Sequence, residues 1–323
     1  MTKIVTLGGG TGTFAVLSAI RSVPGLSITA IVASSDDGGS TGRLRDAYGT
    51  LPVGDARQAL VALARAPRRM RELFNYRFSK GDVRGHTLGN LLLTALADLS
   101  GSDAKAIEEA SKLLRVSGRV LCATSTATTL EATLTDGSVL SGERVIDERS
   151  VRAAIREVSL AGNPRASDEA LAALAEADVL LLGPGDLYTS TIAALLPGGI
   201  REAVAASCTK IIYTMNLFTK AGQTDGMGAA LHLETLTRYL GRAPDVVLMH
   251  KGEYAPEALA RYAAEGEYPV ADDLEAIPHL QVVRGSLASA THVEPVPEDP
   301  VPRSLVRHDP EALRITLMPF LVQ

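Results

Sequence analysis

The 323-residue sequence contains no tryptophan, and aromatic residues make up only 4% of it. This scarcity argues against a stacking platform for single-stranded nucleic acid. Its only two cysteines, Cys122 and Cys208, are far apart and match no metal or redox spacing, which is typical of reduced, buried side chains. The sequence also lacks an apolar run of about 18 residues and a leader-like N-terminal pattern. These absences predict a soluble, cytoplasmic protein without a membrane partner.

Charge is modest in total but unevenly distributed. The sequence has 32 basic and 37 acidic residues, a net charge of −5, which argues against a general nucleic-acid binder. Ten basic and four acidic residues lie between Arg43 and Arg84, so this segment carries +6 and the remainder −11. We interpret Arg65–Arg71 as a solvated helical face, and the whole segment as a source of attraction for anions.

The beginning of the chain predicts the fold class. The segment Ile4–Ala33 has the order strand, glycine turn, helix, strand, which predicts adjacent parallel strands. The length suits two domains or one elaborated α/β domain, and we predict one domain over residues 1–323. We expect a Rossmann-like, open, mostly parallel sheet with helices on both faces. An antiparallel excursion is expected near 130–143, and a proline-rich surface crossing at 292–303.

Later segments continue the alternation of strand and helix. Short continuous apolar runs predict buried strands, and a longer apolar run behind a glycine predicts a buried helix. The predicted strands are Val179–Leu182, Lys210–Met215 and Val246–Met249, and the predicted helices are Gly89–Leu99, Asp168–Ala177 and a C-terminal element over Ala312–Val322.

A glycine-rich loop separates the first predicted strand from the first helix. Glycines in that position let a backbone approach a phosphate, and the free N–H groups of the helix point toward it. Gly10, Gly12 and Ala15 match the dinucleotide pattern G-x-G-x-x-A. The alternative is a tight turn without a ligand. The candidate phosphate contacts are Gly9, Gly10, Thr11, Gly12 and Thr13.

The second loop, Ser34–Arg43, combines two adjacent acids with glycines, hydroxyls and an arginine. Asp36 and Asp37 could hold Mg²⁺, which prefers oxygen ligands and shares them with substrate phosphates. Ser40 and Arg43 would then contact the phosphate. The alternative is that the two carboxylates only cap the local turn.

Two more loops could contribute polar groups. Asp55 could complete a carboxylate cluster with Asp36 and Asp37, or simply cap the helix that follows it. Thr87 resembles the cap of another helix, whose neighbours His86 and Asn90 could face the pocket. A structural role for His86 is equally open. The catalytic candidates are therefore Asp36, Asp37, Asp55 and His86.

Further candidates follow strands in the second half of the chain. The loop Gly183–Ser190 repeats the order of strand, glycines, hydroxyls and helix, and Asn216–Asp225 follows the next strand. Ligands of open α/β sheets bind at the carboxyl ends of the strands, where all these loops would meet. The candidate contacts are Gly183, Gly185, Tyr188, Thr189, Ser190, Asn216 and Asp225.

Seven motifs occur in an order that resembles the bacterial gluconeogenesis-factor (YvcK-like) family, a relative of 2-phospho-L-lactate transferase (CofD-like). They cover nearly the whole chain: GGGTGT, SSDDGGSTGRLR, PVGDARQAL, FNYRF, GHTLGNLLL, LGPGDLYTS and NLFTKAGQTDG. The resemblance implies a Rossmann-like fold that binds UDP-sugars such as UDP-N-acetylglucosamine, without an established reaction. It also implies support of growth on gluconeogenic carbon sources and of cell shape.

The resemblance also implies roles for single residues. Tyr262 and Arg307 match positions whose tyrosine and arginine contact the sugar nucleotide, and Thr11 and Gly12 match nucleotide contacts. It also implicates Asp36 and Asp37 in the pocket. Three positions depart from the family pattern: Asp186 replaces a serine, Gln223 a glutamate and Gln58 an asparagine.

Three functional hypotheses follow. The first is a cytoplasmic protein that binds a UDP-sugar and no nucleic acid, with a homodimer left open. The second is a Mg²⁺-dependent transferase of a phosphate-linked group, in which Asp36 and Asp37 hold the metal. The third is an NAD(P)-dependent oxidoreductase, suggested by the pattern at Gly10 and Gly12 but weakened by the double aspartate loop.

Overall fold

The computed structural model describes residues 1–149, 153–275, 277–289 and 305–322. The predicted crossing at 292–303 lies outside these residues. In the described parts of the chain, no helix is long and apolar enough to cross a membrane.

The centre of the fold is a seven-stranded sheet in which every pair of neighbouring strands is parallel. Counted along the chain, its strands lie in the order 3-2-1-4-5-6-7, so the predicted Rossmann-like sheet is confirmed. The strands are β1 Thr2–Gly8, β2 Leu26–Val32, β3 Arg119–Cys122, β7 Val179–Leu182, β8 Lys210–Thr214, β9 Val246–His250 and β10 Gln281–Gly285.

Helices pack on both faces of this sheet because alternate strand residues point in opposite directions. In β1, Ile4 belongs to one buried cluster, while Val5 and Leu7 belong to the other. The helices are α1 Gly10–Ile20, α2 Gly39–Tyr48, α3 Gly54–Leu63, α4 Arg68–Asn75, α5 Leu88–Ser100, α6 Asp103–Leu114, α7 Glu143–Asp147, α8 Asp168–Ala175, α9 Ile200–Ala206, α10 Ala229–Leu240, α11 Pro256–Ala264 and α12 Pro310–Leu321.

The last helix packs on the first. Leu313, Leu317 and Leu321 of α12 are buried in the same apolar cluster as Leu17 and Ile20 of α1. The predicted C-terminal element is therefore a core helix, and it joins the end of the described chain to the opening β1–α1 unit.

The antiparallel excursion forms a second, three-stranded sheet. Its strands are β4 Leu130–Leu134, β5 Val139–Ser141 and β6 Ile155–Leu160, in the order β5-β4-β6. The β4–β5 hairpin near 130–143 is confirmed, and its turn is stabilised by Asp136, whose Oδ1 accepts a hydrogen bond from the Ser138 N–H at 2.9 Å. Strand β6 was not predicted.

Side chains of α10 cover the outer edge of β6. The Val158 N–H donates to the Tyr239 hydroxyl at 2.8 Å, and Arg238 Nη2 donates to the Arg156 carbonyl at 3.1 Å. The backbone groups that a further strand would pair with are thereby occupied at these two positions.

Candidate functional site

The loops after β1 and β7 meet where the strand order reverses. The chain continues from β1 to β2 on one side and returns through β7 on the other, and ligands of such sheets bind at this reversal. A Cβ atom added to Gly12 would overlap the carbonyl oxygen of Pro184, so only glycine permits this approach. We call the region where Gly9–Gly12 meets Gly183–Asp186 the crevice.

The N-terminus of α1 faces the crevice and already carries an anion. Asp55 Oδ1 accepts a hydrogen bond from the Gly10 N–H at 2.8 Å, and the carboxylate lies directly against Gly9. A carboxylate in this position stabilises the positive end of the helix dipole. Asp55 does not cap its own helix, because Val53 occupies that cap position. The capping alternative from the sequence was therefore wrong.

The two adjacent aspartates of the second loop have separate partners. Asp36 Oδ1 accepts a hydrogen bond from the Gly38 N–H at 2.8 Å, and its other oxygen lies against Gly54. Asp37 Oδ1 accepts one from the Arg144 N–H at 2.8 Å, beside Gly142. Both carboxylates therefore position backbone, but only Asp36 caps the local turn, whereas Asp37 binds a distant segment. Asp37 in addition connects the main sheet to α7 of the excursion.

Two further acids, Glu143 and Asp147 of α7, join this group. Burial and then the Asp36 and Asp147 carboxylates raise the pKa of Glu143 well above its ordinary value. Burial and the Asp186 carboxylate raise the pKa of Asp147 to about 7. We call these five carboxylates, Asp36, Asp37, Asp55, Glu143 and Asp147, the acidic cluster. Glu143 and Asp147 were missed because α7 has only five residues and follows a hairpin with strand periodicity.

Gln223 links the acidic cluster to the loop after β8. Its Nε2 donates to Asp147 Oδ1 at 2.5 Å and lies 3.4 Å from Thr189 Oγ1. Its Oε1, and Oδ1 of Asn216 in the same loop, are buried without a hydrogen-bond partner among the described residues. Asn216 Nδ2 donates to the Gly185 carbonyl at 2.8 Å, so the loop after β8 contacts the crevice.

The carboxylate of Asp186 has a cationic neighbour. Burial raises the pKa of Asp186, and Lys220 opposes that effect. Lys220 Nζ forms an ion pair with Glu267 Oε1 at 3.0 Å. Burial alone would lower the pKa of Lys220, but Glu267 and Asp186 outweigh it and the pKa is raised. The lysine therefore stays charged, and it offsets part of the negative charge beside the crevice.

The predicted contacts on the Gly183–Ser190 loop are unequally accessible. Leu187–Ile192 forms a π-helical turn, a conformation that often marks functional sites. Tyr188 and Thr189 are buried within it, whereas Ser190 is half-buried and lies near Gly10 of the first loop. Asp225, at the far end of the following loop, is exposed.

A buried hydrogen-bond chain links α2, α3 and α5. Arg57 Nε donates to Asn90 Oδ1 at 2.9 Å, Asn90 Nδ2 donates to Ser40 Oγ at 3.1 Å, and Ser40 Oγ lies 2.9 Å from His86 Nδ1. We call these four residues the relay. All four side chains are buried, and His86 is the most exposed of them at 9%, so an effect of Ser40 and Asn90 on a ligand would pass through His86. Thr87 caps α5 as predicted, its Oγ1 accepting a hydrogen bond from the Asn90 N–H.

Two arginines of the basic segment hold the loop that carries His86. Arg77 Nη1 donates to the Gly85 carbonyl at 2.6 Å, and Arg43 Nη2 donates to the Arg84 carbonyl at 3.1 Å. Burial, followed by the charges of Arg43 and Arg77, lowers the pKa of His86 below its ordinary value. Arg43 is exposed and remains the phosphate candidate of this loop.

The two C-terminal candidates lie close together. The Tyr262 hydroxyl accepts a hydrogen bond from the N–H of Val306, the residue before Arg307, at 3.1 Å. The Tyr262 ring stacks on Phe218 with 3.9 Å between ring centres, and it is buried. The loop after β8 thus meets two segments that are distant in sequence.

The acidic cluster does not form a complete metal site among the described residues. Within the described ranges, no group of three or more His, Cys, Asp or Glu side chains is arranged to hold a metal ion. Asp36 and Asp37 each accept a backbone N–H, so a magnesium ion there would take most of its ligands from water and substrate phosphates.

Comparison with known proteins identifies relatives along the whole chain. The family model of 2-phospho-L-lactate transferase CofD matches residues 4–288. The gluconeogenesis factor of Bacillus subtilis is 36% identical, with 99% of this chain and 98% of the relative covered. That of Halalkalibacterium halodurans is 39% identical, with 84% of each covered. A crystal structure of a UPF0052-family protein from Bacillus halodurans superimposes with a TM-score of 0.88 at 33% identity, covering 98% of both chains.

Proposed function

Because the chain belongs to the CofD family and is one of its gluconeogenesis factors, we propose that it binds a nucleotide sugar, such as UDP-N-acetylglucosamine, in the crevice. In this role it would support growth on gluconeogenic carbon sources and the maintenance of cell shape from the cytoplasm. The observation that carries the proposal is the contact between the loops of β1 and β7 at the reversal of strand order, where α1 begins.

The groups around the crevice suit the parts of such a ligand. Backbone N–H groups of the first loop other than that of Gly10, which Asp55 occupies, would meet the diphosphate together with Arg43. Gln223 Oε1 and Asn216 Oδ1, both buried acceptors without a partner among the described residues, would receive N–H or O–H groups of the base or sugar. Tyr262 would position Arg307 through its neighbour Val306.

The negative charges of the acidic cluster would repel a diphosphate, and two effects reduce this repulsion. The raised pKa values of Glu143 and Asp147 leave part of the cluster protonated near neutral pH. A divalent cation between the carboxylates and the diphosphate would reduce the repulsion further. Binding should therefore tighten when Mg²⁺ is added.

Isothermal titration with UDP-N-acetylglucosamine, with and without Mg²⁺, tests the proposal. Arg307→Ala should weaken binding by about tenfold, the loss of a charge-assisted contact of about 1.4 kcal/mol. The control is Arg314→Ala, which removes a surface arginine paired with Glu311 on α12 and should leave affinity unchanged. Absence of binding by the unaltered protein at millimolar ligand would contradict the proposal.

The acidic cluster also favours a second candidate, a Mg²⁺-dependent transferase of a phosphate-linked group. Asp36, Asp37, Asp55 and Asp147 all act electrostatically on Glu143, and their negative charge would attract a cation that accompanies a reacting diphosphate. Phosphorus NMR of the titrated samples separates the two candidates. Release of a new phosphate species that stops in Asp36→Asn would favour the transferase, and an unchanged ligand would favour binding alone. The oxidoreductase hypothesis has no supporting contact among the described residues.

A further inference from the structure

The donor and acceptor roles along the relay are fixed, and they follow from Arg57. A guanidinium group has only donors, so Arg57 must donate to the Asn90 oxygen. This contact orients the amide, whose nitrogen then donates to Ser40 Oγ. The chemistry of the guanidinium therefore fixes which atom of the Asn90 amide is the oxygen and which is the nitrogen.

The direction continues to His86. Ser40 Oγ already accepts from Asn90, and its own proton needs an acceptor because the side chain is buried. Among the described residues the acceptor within reach is His86 Nδ1, at 2.9 Å. Nδ1 must then be unprotonated, and a neutral ring carries its hydrogen on Nε2.

The surroundings of the ring favour this neutral form. Burial of the ring opposes a positive charge on it, and so do the charges of Arg43 on α2 and of Arg77 between α4 and α5. The His86 side chain is largely buried, with 9% of its surface exposed, and its Nε2 makes no hydrogen bond to the described chain.

We propose that the relay holds His86 as the neutral Nε2–H tautomer, whose N–H donates a hydrogen bond to a phosphate oxygen of the ligand beside Arg43. This inference deepens the proposed function and rests on the same ligand class. It makes His86 a binding group, and it makes Arg57, Asn90 and Ser40 positioning residues. His86 would then not act as a general base, because its one unprotonated nitrogen is occupied by Ser40.

Nitrogen-15 NMR of histidine-labelled protein tests the tautomer without any ligand. The His86 signals are assigned by their absence in His86→Gln. At pH 7.5 the unaltered protein should show a protonated Nε2 and an unprotonated Nδ1. A protonated Nδ1, or a doubly protonated ring, would overturn the proposal.

Asn90→Asp tests the direction of the relay. A carboxylate accepts from both Arg57 and Ser40, so Ser40 should turn its proton away from His86, and Nδ1 should become protonated. Ser40→Ala, which removes the link without adding charge, should give a mixture of the two tautomers. An unchanged tautomer in the folded variants would contradict the relay.

Inorganic pyrophosphate at pH 8 tests the ligand contact. His86→Leu removes the donor and should weaken binding about fivefold, since one hydrogen bond contributes about 1 kcal/mol. His86→Gln places an N–H₂ donor near the position of Nε2 and should restore most of the affinity. Equal affinity in His86→Leu, or no binding by the unaltered protein, would overturn the contact. A failure to bind UDP-N-acetylglucosamine alone would count against the proposed function and leave this result standing.

Discussion

At the scale of single residues, the acids beside the crevice combine structural and electrostatic roles. Asp37 and Asp55 bind backbone N–H groups of neighbouring elements, which holds loops in place. Asp147 is different because its partner is a side chain, the amide of Gln223. An amide donates to a carboxyl oxygen in either protonation state, so Gln223 keeps this contact while Asp147 titrates.

Asp147→Asn should stabilise the protein at alkaline pH. The pKa of Asp147 is raised from 3.8 to about 7, so the folded protein keeps a proton that the unfolded chain releases. The stability from this proton is complete below pH 3.8 and is lost as the pH rises through 7. The asparagine variant avoids that loss and should melt about 2 °C or more above the unaltered protein at pH 8, with a smaller difference at pH 5, where only part of the loss has occurred.

The control for this measurement is Asp98→Asn, at an exposed position on α5. It should not change the pH dependence of the melting temperature. If Asp147→Asn shifted the melting temperature equally at pH 5 and pH 8, the carboxyl would not be titrating between them.

At the scale of elements, patterns within one segment were predictable and contacts between segments were not. The predicted strand Val179–Leu182 is confirmed because four apolar residues in succession suit a strand buried on both faces. Strand β6 was missed because its partner β4 lies some twenty residues away and its own alternation is incomplete. The loops that form the crevice were predicted from their glycines, whereas the place of α7 among the acids depends on tertiary packing.

The contact between the loops of β1 and β7 should be sensitive to one methyl group. In Gly12→Ala, the new Cβ would overlap the Pro184 carbonyl, a backbone atom that cannot move alone. We expect a loss of about 2 kcal/mol or more in the free energy of unfolding, measured by urea denaturation.

The matched control is Gly198→Ala. A Cβ there would lie 3.7 Å from the Pro164 carbonyl, an ordinary contact, and the change should have an effect below about 1 kcal/mol. Equal stability of the two variants would show that the loops of β1 and β7 can move apart at little cost in free energy. The crevice would then not be rigid.

At the scale of the whole molecule, the central sheet divides the interior into two apolar clusters. Leu17 and Leu317 belong to one cluster, and Val5 and Leu236 to the other, while the strands contribute to both. Because α12 packs on α1, the end of the described chain stabilises its beginning. The prediction of one domain over residues 1–323 therefore implies one cooperative unfolding transition.

Leu317→Ala tests this coupling between the ends. Leu317 is buried under α1, and its truncation should lower the free energy of unfolding by about 2–4 kcal/mol. Ile315→Ala, on the exposed side of the same helix, should cost well under 1 kcal/mol. Tyrosine fluorescence and circular dichroism should report a single shared unfolding transition in both variants. Two separate transitions in Leu317→Ala would show that α12 unfolds independently of the sheet.

The covered edge of β6 limits how copies of this protein can associate. Tyr239 and Arg238 occupy backbone groups that a neighbouring strand would need, so this border of the small sheet resists growth into a continuous intermolecular sheet. A twofold assembly built on strand pairing would have to begin elsewhere, and β5, with three residues, offers little length. In any homodimer, strand pairing through the small sheet is therefore disfavoured, and the sheet edges that remain in the described part of the chain are those of β3 and β10 in the central sheet.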